Sequence, residues 1–353
     1  MCVSPVRIRN PNRGCTADFL VKTTDTVSAY INVPCGVCCE CIAKKQSDLV
    51  QRVRVLSLDH YIFFYTLTYN DASLPRITCS TGYSITFAAH SDITNMFKRI
   101  RKGNLFGYPF KYISVSERGK GRGRPHFHGM IFIEKMYGKN DPLFTAILEK
   151  KVRSVLFHEW RRNYGYTRRP DCRPLFTYHS KFVGGVRYSN FDCHYVVPFS
   201  TDKGSTDVAF YVTKYILKPS DKEKRLQQAL SLNLDPEEFE SVWKVVKSKC
   251  TKSLDFGSAT PLEKQFVQSQ IRASRDCSEG LHFKNPDGSL APLPRYYRKY
   301  VTADDAIRSV AARGGPLSIR DRSIGDIDNS LEKGEVRLRK VADRDISELT
   351  NFD

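Results

Sequence analysis

The chain has 353 residues, 41% of them hydrophobic, and its 56 Lys and Arg outweigh 38 Asp and Glu to give a formal charge of +18. That length and apolar content suffice for a packed core, which excludes a disordered or fibrous chain, and the basic surplus suits a polyanionic partner such as nucleic acid. No apolar run approaches the ~18 residues that span a bilayer, and the opening MCVSPVRIRNPNRG lacks the apolar segment of a signal peptide, so no membrane partner is expected.

Residues 1–60 read as a Cys-rich segment followed by a basic helix. Eleven cysteines are an odd number, and four crowd into CGVCCEC at 35–41, a poor disulfide framework that fits a reducing cytoplasm better. Cys35, Cys38 and Cys41 have zinc-compatible spacing. A tetrahedral site then needs a fourth ligand from Cys39, Cys15 or a histidine, and the alternative is reduced cysteines packed as small hydrophobes. In AKKQSDLVQRVRVLSL, Leu49, Val53 and Leu56 recur at helical spacing among Lys44, Lys45, Arg52 and Arg54.

Residues 61–220 read as the core. YIFFYTLTY (61–69) is aromatic and β-branched, hence a strand. HSDITNMFKRIRKGN (90–104) carries an Ile93, Phe97, Ile100 stripe and a Gly103 stop, hence a helix. FKYISVSE (110–117) and RPHFHGMIFIE (124–134) read as two strands joined by the RGKGRG hairpin loop. The stretch from Asp141 to Gly165 reads as a long helix starting at Pro142, and 166–204 as short strands or an insertion. DVAFYVTKYILK (207–218) reads as a helix capped by Asp207 and stopped by Pro219. Residues 221–353 form a charged, helical extension whose last ~50 residues have the composition of a disordered tail. No G-x-x-x-x-G-K-[ST] phosphate loop is present, which argues against an ATP-driven helicase in the chain.

Two patterns carry chemistry. In a strand, alternate side chains share a face, so His126 and His128 point the same way, about 7 Å apart along the strand. If the preceding strand pairs antiparallel through the hairpin, Glu117 can lie close enough to add a carboxylate. Two nitrogens and an oxygen with open positions suit catalytic Mg²⁺ or Mn²⁺. Two half-exposed histidines on a sheet face remain the plainer alternative. On the predicted 207–218 helix, Tyr-x-x-Lys occurs twice, as Tyr211/Lys214 and Tyr215/Lys218, so both phenols and both ammonium groups share a face. A nearby lysine favours the phenolate, the form that attacks phosphorus; an ordinary amphipathic helix with half-buried tyrosines is the alternative.

In order along the chain, YTLTY at 65–69, Glu117 with RPHFHG at 124–129, and YVTKYILK at 211–218 resemble the motifs of the HUH endonucleases. More narrowly they resemble the replication initiators of the Microviridae, the small single-stranded DNA bacteriophages, in their gokushovirus branch. VPCGVCCECIAKKQ and LPRYYRKY also resemble stretches of those phage proteins, although the doubled Cys38-Cys39 departs from their simple Cys-x-x-Cys-x-x-Cys spacing.

The resemblance implies an α+β fold, an HUH endonuclease core whose central antiparallel sheet is flanked by helices. It implies rolling-circle replication in the cytoplasm of a bacterial host: a nick at the viral replication origin, a 5′-phosphotyrosine intermediate, and a free 3′-hydroxyl that primes host DNA polymerase, with a host helicase opening the duplex. By position, His126 and His128 would be metal ligands with Glu117 the third, Tyr211 and Tyr215 nucleophiles, and Lys214 and Lys218 charge-stabilising groups.

Arg118, Lys120, Arg122 and Arg124 in the hairpin, with Lys98 and Arg99 on the first core helix, are candidate contacts to the phosphates of single-stranded DNA. The glycine-rich loop precedes a strand rather than a helix, which excludes a dinucleotide site. Three other readings stay open: a transposase or plasmid relaxase with the same chemistry, an iron oxygenase using His-x-His, and a zinc-containing single-stranded DNA binding protein without activity.

Overall fold

The computed structural model describes residues 5–9, 30–35, 38–71, 73–119, 123–135, 142–161, 180–183, 186–189, 191–196, 221–285 and 288–312. The expected central antiparallel sheet flanked by helices is present. Its five strands are β3 (His60–Thr68), β6 (Phe110–Arg118), β7 (Pro125–Glu134), β10 (Phe191–Val196) and β11 (Cys250–Lys252), in the order β10-β3-β7-β6-β11. Every pairing is antiparallel.

Helices cover both faces, which is why β3 reads as an almost unbroken apolar run rather than an alternating one. On one face lie α2 (His90–Lys102) and α3 (Pro142–Arg161). Their Ile93, Phe97, Leu148 and Val152 pack with Phe63, Tyr65, Phe127 and Ile131 of the sheet. On the other face α1 (Cys39–Asp59) lays Leu49, Val53 and Leu56 over Ile62, Phe64, Ile113, Val115, Met130 and Phe132. The odd-numbered β7 residues Phe127 and Ile131 therefore face α2 and α3, and the even-numbered His126, His128 and Met130 face the α1 side.

Of the stretch 166–204, residues 180–183 and 186–189 form the β8–β9 pair, and β10 is the edge of the central sheet, paired with β3. The other edge, β11, comes from beyond residue 220. The same part of the chain forms α4 (Asp221–Asn233), α5 (Pro236–Val246), α6 (Pro261–Ser274) and α7 (Ala303–Ala312). A capping box between Thr260 and Glu263 starts α6. The same Glu263 accepts a 2.7 Å bond from His60 Nδ1, and Lys111 Nζ stands 3.0 Å from His60 Nε2, so a buried polar chain ties α6 to the start of β3. Val267 and Ile271 of α6 complete the junction against Val55 of α1.

Residues 197–220, with the predicted tyrosine helix, and 313–353, with the predicted tail, lie outside the described residues. Two short pairs complete the N-terminal half: β1 (Val6–Arg9) with β2 (Tyr30–Val33), and β4 (Arg76–Thr78) with β5 (Ser84–Thr86). A further pair, β12 (His282–Lys284) with β13 (Leu290–Pro292), lies in the C-terminal part. Among the described residues no helix is long and apolar enough to cross a membrane.

Candidate metal centre

The hairpin register decides which carboxylate the histidines meet. Glu117 on β6 pairs directly with His126 on β7, and Val115 with His128. Glu117, Val115 and Ile113 share the face of His126 and His128, so hydrophobic packing by Val115 and Ile113 under α1 holds Glu117 on the histidine side.

Glu117 Oε2 is 3.3 Å from His128 Nε2 and 3.7 Å from His126 Nε2, and the two Nε2 atoms are 2.8 Å apart. All three side chains are largely buried. The outward ring atoms are engaged elsewhere. His126 Nδ1 lies 3.0 Å from the Arg124 carbonyl; an oxygen of that kind only accepts, so the proton is on Nδ1 and the Nε2 lone pair points toward Glu117. His128 Nδ1 lies 2.9 Å from Thr66 Oγ1, and Thr66 stands opposite His128 on β3. With Nδ1 donating to Thr66, both Nε2 lone pairs enter the same gap. Burial first, and then the neighbouring His128, lowers the pKa of His126, which keeps its imidazole neutral.

Two converging lone pairs and a carboxylate oxygen, braced by outward hydrogen bonds, form a donor set that fits a divalent cation. Phe64 seals one side by stacking on His128, with ring centroids 5.7 Å apart at 23°. Gly129, next to His128 on the ligand strand, has no room for a side chain. A Cβ there would overlap the Tyr65 ring and come within 2.5 Å of the Ile113 carbonyl.

Cys35, Cys38 and Cys41 form a second group able to hold a metal, at the start of α1, with all three sulfurs within 4.8 Å of one another. The Cys35 and Cys41 sulfurs are 4.0 Å apart, far longer than a disulfide and close to the about 3.8 Å edge of a zinc–thiolate tetrahedron. The Cys38 backbone N–H donates to Cys35 Sγ at 3.3 Å, a bond that stabilises a thiolate. Cys15 lies outside the described residues, as does the Cys39 side chain.

Tyr211, Lys214, Tyr215, Lys218, Lys120 and Arg122 lie outside the described residues. Arg118 is buried and donates to the Thr86 carbonyl at 2.6 Å, with Glu223 nearby. Arg99 pairs with Glu159 of α3 at 2.8 Å. Lys98 is exposed, but on α2, across the sheet from the histidines. Arg124 is tied to Asp71 and to the Tyr69 carbonyl.

Phe64 is a site residue that the sequence patterns did not single out, and Thr66 lay within the YTLTY stretch without a role of its own. Their signal was the alternation of β3, which becomes readable once β3 is known to neighbour β7.

Residues 62–220 match a family model of replication-associated proteins, the ORF2 and gene 2 protein type. The match indicates a rolling-circle replication initiator family. It spans most of β3 and all of β6, β7 and β10, and thus every residue of the Glu117, His126, His128 group. No curated protein and no solved structure matches the chain.

Proposed function

We propose that the protein is an HUH-type replication initiator of a Microviridae-like phage, nicking one strand of its origin by tyrosine transesterification. The observation that carries this reading is the convergence of Glu117, His126 and His128 on one sheet face within a segment that matches a replication-associated family model.

In this reading the three side chains hold Mg²⁺ or Mn²⁺, which when bound polarises the scissile phosphodiester. Glu117 offsets the cation's charge, and Thr66 and the Arg124 carbonyl keep both Nε2 atoms aimed inward. A phenol of Tyr211 or Tyr215 attacks phosphorus. The bond from phosphorus to the 3′-oxygen breaks as the bond to the tyrosine oxygen forms; the phenolic proton is given up and the leaving 3′-oxygen gains one. Lys214 and Lys218 favour the phenolate and offset charge on the phosphate. The phosphotyrosyl link keeps the bond energy, so a second tyrosine can repeat the transfer and religate the strand. The basic surface holds single-stranded DNA, while host helicase and DNA polymerase extend the 3′-hydroxyl. Cys35, Cys38 and Cys41 hold a structural Zn²⁺ that fixes the start of α1.

The test uses labelled single-stranded fragments of the parent genome with Mn²⁺. Wild-type protein should cut at one position, and Glu117→Ala and His128→Ala should not cut while still binding. Equal cutting by these variants would contradict the reading.

A further inference from the structure

Beside the three-residue group, a pair of titratable side chains lies on the same face of the sheet. Asp192 and His194 are on β10, and the register sets Asp192 opposite Thr66 and His194 opposite Phe64. Thr66 in turn stands opposite His128. One row therefore crosses the sheet through Asp192, Thr66 and His128, and alternation turns Asp192 and His194 to the histidine side. His194 Nδ1 is 3.0 Å from Asp192 Oδ2, and the two side chains are 45% and 46% exposed. The Phe64 ring stands between the two imidazoles, its centroid 5.7 Å from His128 and 5.5 Å from His194.

The carboxylate fixes the ring. Asp192 only accepts, so Nδ1–H points to it and Nε2 is left as the imidazole's remaining polar atom. The bond to Asp192 raises the pKa of His194 above the ordinary histidine value. Burial opposes the shift, Asp192 and Glu149 of α3 add to it by charge, and Arg153 of α3 opposes it. Toward the metal group, the uncharged Phe64 intervenes. A half-exposed donor whose charged form Asp192 favours thus sits one aromatic ring away from the candidate metal centre, on the same surface.

We propose that His194, steadied by Asp192, contacts a phosphate of the bound single strand adjacent to the one held at Glu117, His126 and His128. The strand then crosses the sheet from β7 over β3 toward β10. His194 touches the DNA, and Asp192 is a positioning residue. The inference rests on the single-strand reading above.

The test is fluorescence anisotropy of a labelled oligothymidylate with the full chain, without added divalent cation, across salt and pH. His194→Gln should weaken binding at pH 7 about three- to tenfold and reduce the salt slope by about 0.7, the contribution of one single-strand phosphate contact. Asp192→Asn should bind weakly at pH 7 and regain affinity below pH 6, because the imidazole has lost the carboxylate that favours its charged form. His194→Lys should restore affinity and remove that pH dependence, an outcome that loss of packing would not produce.

Wild-type affinity and salt slope in His194→Gln would overturn the inference, as would failure of His194→Lys to restore binding. If the wild type nicks with Mn²⁺ while His194→Gln is unchanged, only the inference falls. A wild type that binds no single strand overturns the initiator reading as well.

Discussion

Glu117 and His126 are direct cross-strand partners, and the carboxylate reaches past that partner to lie closer to His128, at 3.3 Å against 3.7 Å. A glutamate side chain is long enough to span the two-residue offset. The group is thus built from two adjacent strands of one hairpin, with its outer supports drawn from the Arg124 carbonyl and from a third strand, β3.

That third strand supplies the first prediction. Thr66 fixes the His128 ring through Nδ1, on the side away from the other two residues of the group. Groups that orient a ligand in this way are worth about 10–100-fold in metal affinity or activity. Thr66→Val should lower Mn²⁺ affinity by that factor in a calorimetric titration and leave the far-ultraviolet spectrum unchanged. Wild-type affinity would mean that the ring needs no such support.

Gly129 gives a stability prediction. Its neighbours are the fully buried Tyr65 ring and the Ile113 backbone carbonyl, neither of which can yield cheaply. Gly129→Ala should cost about 1–3 kcal/mol or more by overpacking, seen as a lower urea midpoint at unchanged slope. Because Gly129 follows His128, the variant should also bind Mn²⁺ more weakly.

His90 gives a pH dependence. It lies on the opposite face, between Thr251 Oγ1 at 2.5 Å and Ser116 Oγ at 3.1 Å. Burial, and then the charge of Lys249, lowers its pKa from 6.5 to about 4. The unfolded chain binds this proton between those values and the folded chain does not. The contribution is therefore full above pH 6.5 and is lost as pH falls toward 4, on the order of 3 kcal/mol in total. Urea midpoints of the wild type should fall over that window, and those of His90→Gln should fall less. His126, shifted in the same direction, is present in both proteins and cancels in the difference. Parallel curves would count against the buried neutral state.

Zinc content tests the cysteine group. Purified protein should carry one Zn²⁺ per chain by elemental analysis, and chelation should lower its thermal midpoint. Cys38→Ser should reduce both. Metal-free protein with an unchanged midpoint would favour reduced cysteines that simply pack.

The part of this site legible in the sequence is the part made by local geometry. The period of two put His126 and His128 on one face, and the short hairpin loop placed Glu117 beside them. The supports come from pairings distant in sequence. β3 lies beside β7 across about sixty residues, and β10 lies beside β3 across well over a hundred, so the roles of Thr66, Phe64, Asp192 and His194 had no local mark. The same holds for β11 and for the His60 bond to Glu263, which bind the C-terminal segment into the core. Charge patterning does not show which guanidinium groups already have partners: Arg118, buried at a strand end, donates to the Thr86 carbonyl, and the partly exposed Arg99 pairs with Glu159 of the neighbouring helix.

In the proposed reaction a tyrosine of this chain becomes joined to DNA. Labelled single-stranded origin fragments incubated with protein and Mn²⁺, then resolved on a denaturing gel, test it most directly. Wild type should give a metal-dependent covalent band. Tyr211→Phe and Tyr215→Phe should rank the two tyrosines, and the double variant should give no band. A band that persists in the double variant, or none from wild type across fragments covering the whole genome despite tight binding, would contradict the account.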